Sequence, residues 1–97
     1  MSSLHIINSP KTSSQLQSIL ATITAKDAIL LIQDACYMLK APVLIELLQT
    51  HHTSCYALQN DIDARSSTYN DPSNNITTIN YNEFVELTLT HQNSISW

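Results

Sequence analysis

The chain contains no glycine. A Walker A loop and a Gly-x-Gly-x-x-Gly nucleotide turn both need close backbone approach to phosphate and positive φ angles, so neither phosphate cradle can be written in this sequence. Left-handed turn positions must be filled by other residue types, and Asn60, Asn70, Asn74, Asn75 and Asn80, in expected loops, are the natural candidates. Basic residues are equally scarce. Four Lys plus Arg stand against eight Asp plus Glu, a formal charge of −4. Lys11, Lys26, Lys40 and Arg65 are scattered, so no basic footprint for nucleic acid or an anionic membrane is present. Direct nucleic-acid binding is not expected, and any phosphate contacts fall to another chain.

Only two cysteines occur, Cys36 and Cys55, and they form no Cys-x-x-Cys pair. That spacing offers neither a zinc ribbon nor a thioredoxin-like motif, and in a reducing compartment both are thiols. Aromatic residues make up 6% of a chain that is 43% hydrophobic, so its core is built mainly from Leu and Ile. A core in 97 residues is thin, which makes association with other subunits a source of further burial. No stretch approaches the ~20 apolar residues of a membrane span, and the start has no charged segment leading into an apolar one. The expectation is a soluble cytoplasmic protein, read as one domain over residues 1–97.

What is present begins with Ala28–Ile32, an unbroken apolar run that stops at Gln33 and Asp34. A continuous run of this length suits a strand covered on both faces, the habit of parallel sheets. Leu4–Ile7, closed by Asn8-Ser9-Pro10, reads as an earlier strand. Between them, Leu16, Ile19, Leu20 and Ile23 follow helical spacing behind Thr12-Ser13-Ser14-Gln15 cap candidates, and this helix is expected to end near Ala25-Lys26. Strand, helix and strand with short connections imply a right-handed parallel crossover. A short helix over Ala35–Lys40 follows, then one opened by Pro42 and ending near His51. Ser54–Leu58 reads as a third strand, with Cys55 and Ala57 on one face and Tyr56 and Leu58 on the other. Asn60–Arg65 reads as a helical turn, Ser66–Asn75 as loop, and Ile76–Ile79 as a fourth strand. Asn80-Tyr81-Asn82-Glu83 has the form of a capping box, and the helix behind it presents Tyr81, Phe84, Val85 and Thr88 on one stripe. His91–Trp97 is expected to be a tail. The fold class is α/β, a small single-domain parallel, Rossmann-like sheet of about four strands flanked by helices.

Reactive groups in such sheets gather at the carboxyl ends of strands, which places Asp34 and Cys36 there. Cys36 is the sharpest candidate for chemistry, because a thiol at a helix start gains thiolate character from the helix dipole. The alternative is a small buried side chain, which is the expectation for Cys55. Asp34 either orients a ligand or caps the following helix. His51 and His52 are adjacent, but nothing supplies further metal ligands at a recognisable spacing, and no metal or cofactor is expected. Ser13 and Ser14 lack a Gly-x-Ser-x-Gly elbow, and Glu83 and Glu86 are explained by capping and solubility. His5 and His91 have ordinary explanations. Trp97 is an unusual last position for a large ring, so a Trp97 docked on its own core or in a partner's pocket is an interface hypothesis.

In order, Leu4-His5-Ile6-Ile7-Asn8-Ser9-Pro10, Ala28–Asp34 with Tyr37, Tyr56-Ala57-Leu58 through Asp61-Ile62-Asp63-Ala64-Arg65, Tyr81–Thr88 and the final Trp97 resemble the TusB/DsrH family across nearly the whole chain. The resemblance implies a DsrEFH-like fold. It also implies a non-catalytic subunit that assembles with TusC-like and TusD-like chains, two copies of each, into a cytoplasmic heterohexamer. In the tRNA branch, that complex accepts persulfide sulfur from a TusA-like carrier and passes it through a TusE-like one towards 2-thiolation of the wobble uridine. The family's transferring cysteine lies on the TusD-like chain. Some DsrH-type members carry a cysteine in the first helix where Ile19 stands here, which favours the TusB branch. Asp34 is usually followed by glycine in the family, and Ala35 and Cys36 stand here, so Cys36 inherits no family role. The family's later glycine is Ser66. A direct persulfide role for Cys36 and a stand-alone homo-oligomeric binding module are the alternatives.

Overall fold

The computed structural model describes residues 2–65 and 76–97. Its elements are β1 (Ser3–Ile7), α1 (Ser13–Ala21), β2 (Ala28–Leu31), a 3-10 helix (Gln33–Lys40), α2 (Pro42–His51), β3 (Ser54–Leu58), α3 (Gln59–Ala64), β4 (Ile76–Ile79), α4 (Tyr81–Thr90) and β5 (Asn93–Ser96). The strands form one sheet in the order β4-β3-β2-β1-β5, and every neighbouring pair is parallel. The expected parallel pairing of β1 with β2 across α1 is therefore in place, with β2 central and fully buried.

A fifth strand is added to the four expected. Asn93-Ser94-Ile95-Ser96 has none of the apolar alternation of a half-buried strand, and all four residues are exposed. An edge strand meets that description, because one neighbour completes its pairing while its side chains stay in water. Gln92 N and Asn93 N donate to Ser2 O, and Trp97 N donates to Ile6 O at 2.9 Å.

Local rules explain most boundaries. Thr12 accepts from Gln15 N while the Gln15 side chain accepts from Thr12 N, a capping box that starts α1. The helix stops earlier than expected, at Ala21, where the Thr22 hydroxyl donates to Ile19 O within a β-branched run, Thr22-Ile23-Thr24. Pro42 opens α2, and Asn80 with Glu83 opens α4 by the second capping box. The left-handed positions do not fall to asparagine among the described residues. They fall to Gln33 and His52, both at φ 52°. Asn60 lies in α3 and Asn80 is extended, while Asn70, Asn74 and Asn75 lie outside the described residues.

The two sheet faces are covered unequally. On one, Ile7, Ile29, Leu31, Cys55, Ala57 and Ile76 pack against α1, the 3-10 helix, α2 and α3 through residues such as Leu16, Leu20, Leu44, Leu48 and Ile62. On the other, Leu4, Ala28, Leu30 and Ile79 form a smaller cluster with half-buried Ile6, Ile32, Tyr56, Phe84 and Leu87. Among the described residues, α4 is the only helix contributing to this second layer. The stripe expected to be its buried side is split. Phe84 and Leu87 turn inward, whereas Tyr81, Val85 and Leu89 are 54%, 55% and 79% exposed.

Candidate functional site

At the carboxyl end of β2, Gln33 takes the left-handed conformation and donates its backbone N–H to Asp61 Oδ2 at 2.7 Å. Asp34 does not cap the 3-10 helix, which begins after Ile32 without a side-chain cap. Its carboxylate instead accepts from Arg65 Nε at 2.8 Å, and Arg65 Nη1 also reaches Asp61 O at 3.2 Å. The strand-end position expected for chemistry is thus occupied by Asp34 bound to Arg65, and by Asp61, whose carboxylate takes the Gln33 amide and lies 3.9 Å from Arg65 Nη1.

Cys36 lies beneath this cluster and is buried, with its S–H directed at Leu31 O at 3.8 Å. Burial, with the Asp61 and Asp34 carboxylates adding to it and Arg65 opposing, pushes the thiol up to about 11. This is opposite to the dipole-lowered thiolate expected of a helix start, because desolvation of the charged form outweighs the first turn of a 3-10 helix. Cys55, inside β3, is also buried and is pushed up to about 12, by burial and then by the neighbouring Cys36.

A second polar centre was not signalled by any motif. The buried His5 ring meets Asp27 through Nε2 at 3.1 Å from Oδ2, and the Trp97 indole Nε1–H donates to His5 Nδ1 at 3.0 Å. The indole proton assigns Nδ1 as acceptor, which leaves Nε2 carrying the hydrogen given to Asp27. The rings stack with centroids 6.0 Å apart and planes 18° from parallel. Asp27 also accepts from Ser3 N at 2.8 Å and Thr24 N at 3.2 Å. Burial pushes this carboxyl up, but the Ser3 and Thr24 amides and the His5 ring outweigh it and hold it at about 2. Strand register is the signal that could have found the site. Leu4 pairs with Ala28, which sets Asp27 beside Ser3 and within reach of His5.

Trp97 therefore docks on its own chain and remains 36% exposed. With Lys11, Ser14, Gln15, Ser18 and Ile19 it lines a surface cavity of about 290 Å³ over α1. His51 and His52 end α2 in solvent, and among the described residues no group of three or more His, Cys, Asp or Glu is placed to hold a metal. Glu83 is occupied in its capping box, and His91 Nδ1 lies 2.8 Å from Leu87 O at the end of α4.

The sequence profile described as DsrH like protein matches residues 8–94. The chain belongs to the DsrH-like family. It is similar to Protein TusB of Serratia proteamaculans (strain 568), 39% identical over 95 residues that cover 97% of this chain and 99% of that protein. Protein TusB of Pectobacterium parmentieri is 34% identical over the same shares, and Protein TusB of Yersinia pestis (strain Pestoides F) is 37% identical over 84% of this chain and 86% of its own. The crystal structure of the ychN protein from E. coli superposes over 100% of both chains with a TM-score of 0.72 at 13% identity, a likeness of fold. The DsrH-like chain thus has the parallel α/β fold expected of it. Among the described residues, no helix is long and apolar enough to cross a membrane.

Proposed function

We propose that this chain is a structural subunit of a TusBCD-type sulfurtransferase complex, which relays persulfide sulfur for 2-thiolation of the tRNA wobble uridine in the cytoplasm. In this reading residues 1–97 are one TusB/DsrH-like domain that assembles with TusC-like and TusD-like chains into a heterohexamer. TusA-like and TusE-like carriers visit the assembly, tRNA does not contact this chain, and the exposed edge of Trp97 adjoins a partner.

The observation that carries the non-catalytic role is the state of the two thiols. A persulfide carrier needs a nucleophilic thiolate that a donor can reach. Cys36 and Cys55 are buried and both are held well above the ordinary thiol range. Whole-length similarity to proteins named TusB supports the choice of pathway.

The test is replacement of Cys36 by Ser in a strain that depends on this chain for wobble-uridine thiolation. Retained thiolation fits a structural subunit, whereas its loss assigns sulfur transfer to Cys36. Native mass spectrometry of the chain co-expressed with its TusC-like and TusD-like partners tests the assembly. A mixed complex supports the reading, and a lone monomer or self-associated species removes it.

A further inference from the structure

We propose that the outward stripe of α4, Tyr81, Val85 and Leu89, is the surface on which a neighbouring subunit docks, and that this neighbour presents an apolar face rimmed by Lys or Arg opposite Glu86. The inference rests on the reading of the chain as a subunit of a mixed complex, and it assigns the surface used.

Burial makes the first argument. A helix packed on a sheet hides its apolar stripe, yet α4 has no fully buried residue. Phe84 and Leu87 are half-buried against the sheet, and the i, i+4, i+8 row of Tyr81, Val85 and Leu89 stands in water along the whole helix. Thr88, itself half-buried, joins that row to Phe84 and so to the half-buried Ile6, Ile32 and Tyr56 of the second sheet face. This layer is the incomplete half of the core, and a continuous exposed apolar surface with an aromatic residue at one end has the composition of an interface centre.

Charge selects the occupant. The formal charges of α4 are Glu83 and Glu86, and no Lys or Arg lies on it. Glu86 follows Val85 by one residue, so it lies about 100° further round the helix, at the rim of the stripe. In antiparallel self-packing across a two-fold axis at Val85, the Glu86 carboxylates of both copies fall on the same rim near the centre, between chains of net charge −4 each. Like charges so placed oppose self-association, whereas a cation from a different chain relieves the same site. The stripe is therefore complementary to a basic-rimmed apolar face and discriminates against a second copy of itself.

The experiment uses the full chain co-expressed with its TusC-like and TusD-like partners and followed by size-exclusion chromatography with light scattering. The exposed positions allow Val85→Glu with Leu89→Glu without disturbing the core, which circular dichroism and the thermal midpoint of the isolated chain verify. Wild type is expected in the mixed complex and the double variant outside it. Glu86→Lys, which leaves the apolar stripe intact, is expected to raise the dissociation constant roughly tenfold. Wild-type affinity in both variants overturns the docking assignment while leaving the subunit reading in place. Failure of wild type itself to join those chains removes the subunit reading and this inference with it. Self-association of wild type that Val85→Glu abolishes assigns the stripe to a second copy and overturns the choice of partner.

Discussion

The indole N–H of Trp97 donates to Nδ1 of His5 across 3.0 Å, and the other nitrogen of that ring meets Asp27, so the last residue of the chain is tied through one imidazole to a buried carboxylate. Trp97→Phe keeps a ring over His5 but removes the donor, and a loss of about 1 kcal/mol is expected. Trp97→Ala also removes the stacked surface and is expected to cost about 2 kcal/mol. Urea unfolding midpoints of the isolated variants measure both, and equal midpoints for wild type and Trp97→Phe would show that the indole bond contributes nothing.

Asp27 ties the stability of the fold to pH on the acid side. Its folded-state value of about 2 lies below the ordinary 3.8, so the stability it contributes is fully present above about pH 4 and is lost as pH falls towards 2. Asp27→Ala is expected to lower stability at pH 7 by about 2–4 kcal/mol, since Ser3 N–H, Thr24 N–H and His5 Nε2–H lose their acceptor. The variant should also show a flatter thermal midpoint between pH 4 and pH 2. A slope matching wild type in that window would locate the acid-sensitive group elsewhere.

Both thiols should resist modification in the folded state. With Cys36 raised to about 11 and Cys55 to about 12, and neither exposed, iodoacetamide at pH 8 is expected to label neither until denaturant is added. Rapid labelling of Cys36 in native protein, located by peptide mass spectrometry, would contradict the buried-thiol description and revive a sulfur-carrying role.

Gln33 occupies a left-handed conformation at φ 52° that disfavours any residue with a Cβ. Gln33→Gly relieves that strain and adds chain entropy to the unfolded state, so a gain of up to about 1 kcal/mol is expected. The Gln33 N–H to Asp61 bond survives the change because it uses backbone. A stability loss in denaturant titration would mean that the side chain supplies more than its backbone strain costs.

The layout of the sheet was legible where one residue carries one physical instruction. The Asn80-x-x-Glu83 box, Pro42 at a helix start, the alternation of Cys55 and Ala57 against Tyr56, and the apolar run into β2 each specify an element without help from distant chain. Long-range information was not legible. Ser94 and Ser96 become a strand because β1 offers an open edge, which no local pattern in a polar tetrapeptide reports. The turn of Tyr81 and Val85 outward depends on which part of α4 meets Leu30 and Ile79. Gln33 and His52 accept left-handed geometry because their neighbours in the fold fix the chain there. In the candidate site, sequence located Cys36 and Asp34 at a strand end but not the surroundings that decide their chemistry. Cys36 is desolvated by packing, and Asp34 is claimed by Arg65, 31 positions away.

The clasp of Asp27 on both Ser3 and, through His5, Trp97 includes a bond between residues 92 positions apart. β5 lies far along the chain from β1, so until the two pair the β1 edge stands as an unsealed row of parallel hydrogen-bonding groups. Closure of so long a loop is slow and comes after local helices have formed. Until that loop closes the sheet stays open on one side, and the docking of β5, rather than formation of the central strands, is the event that protects the chain from strand-to-strand aggregation.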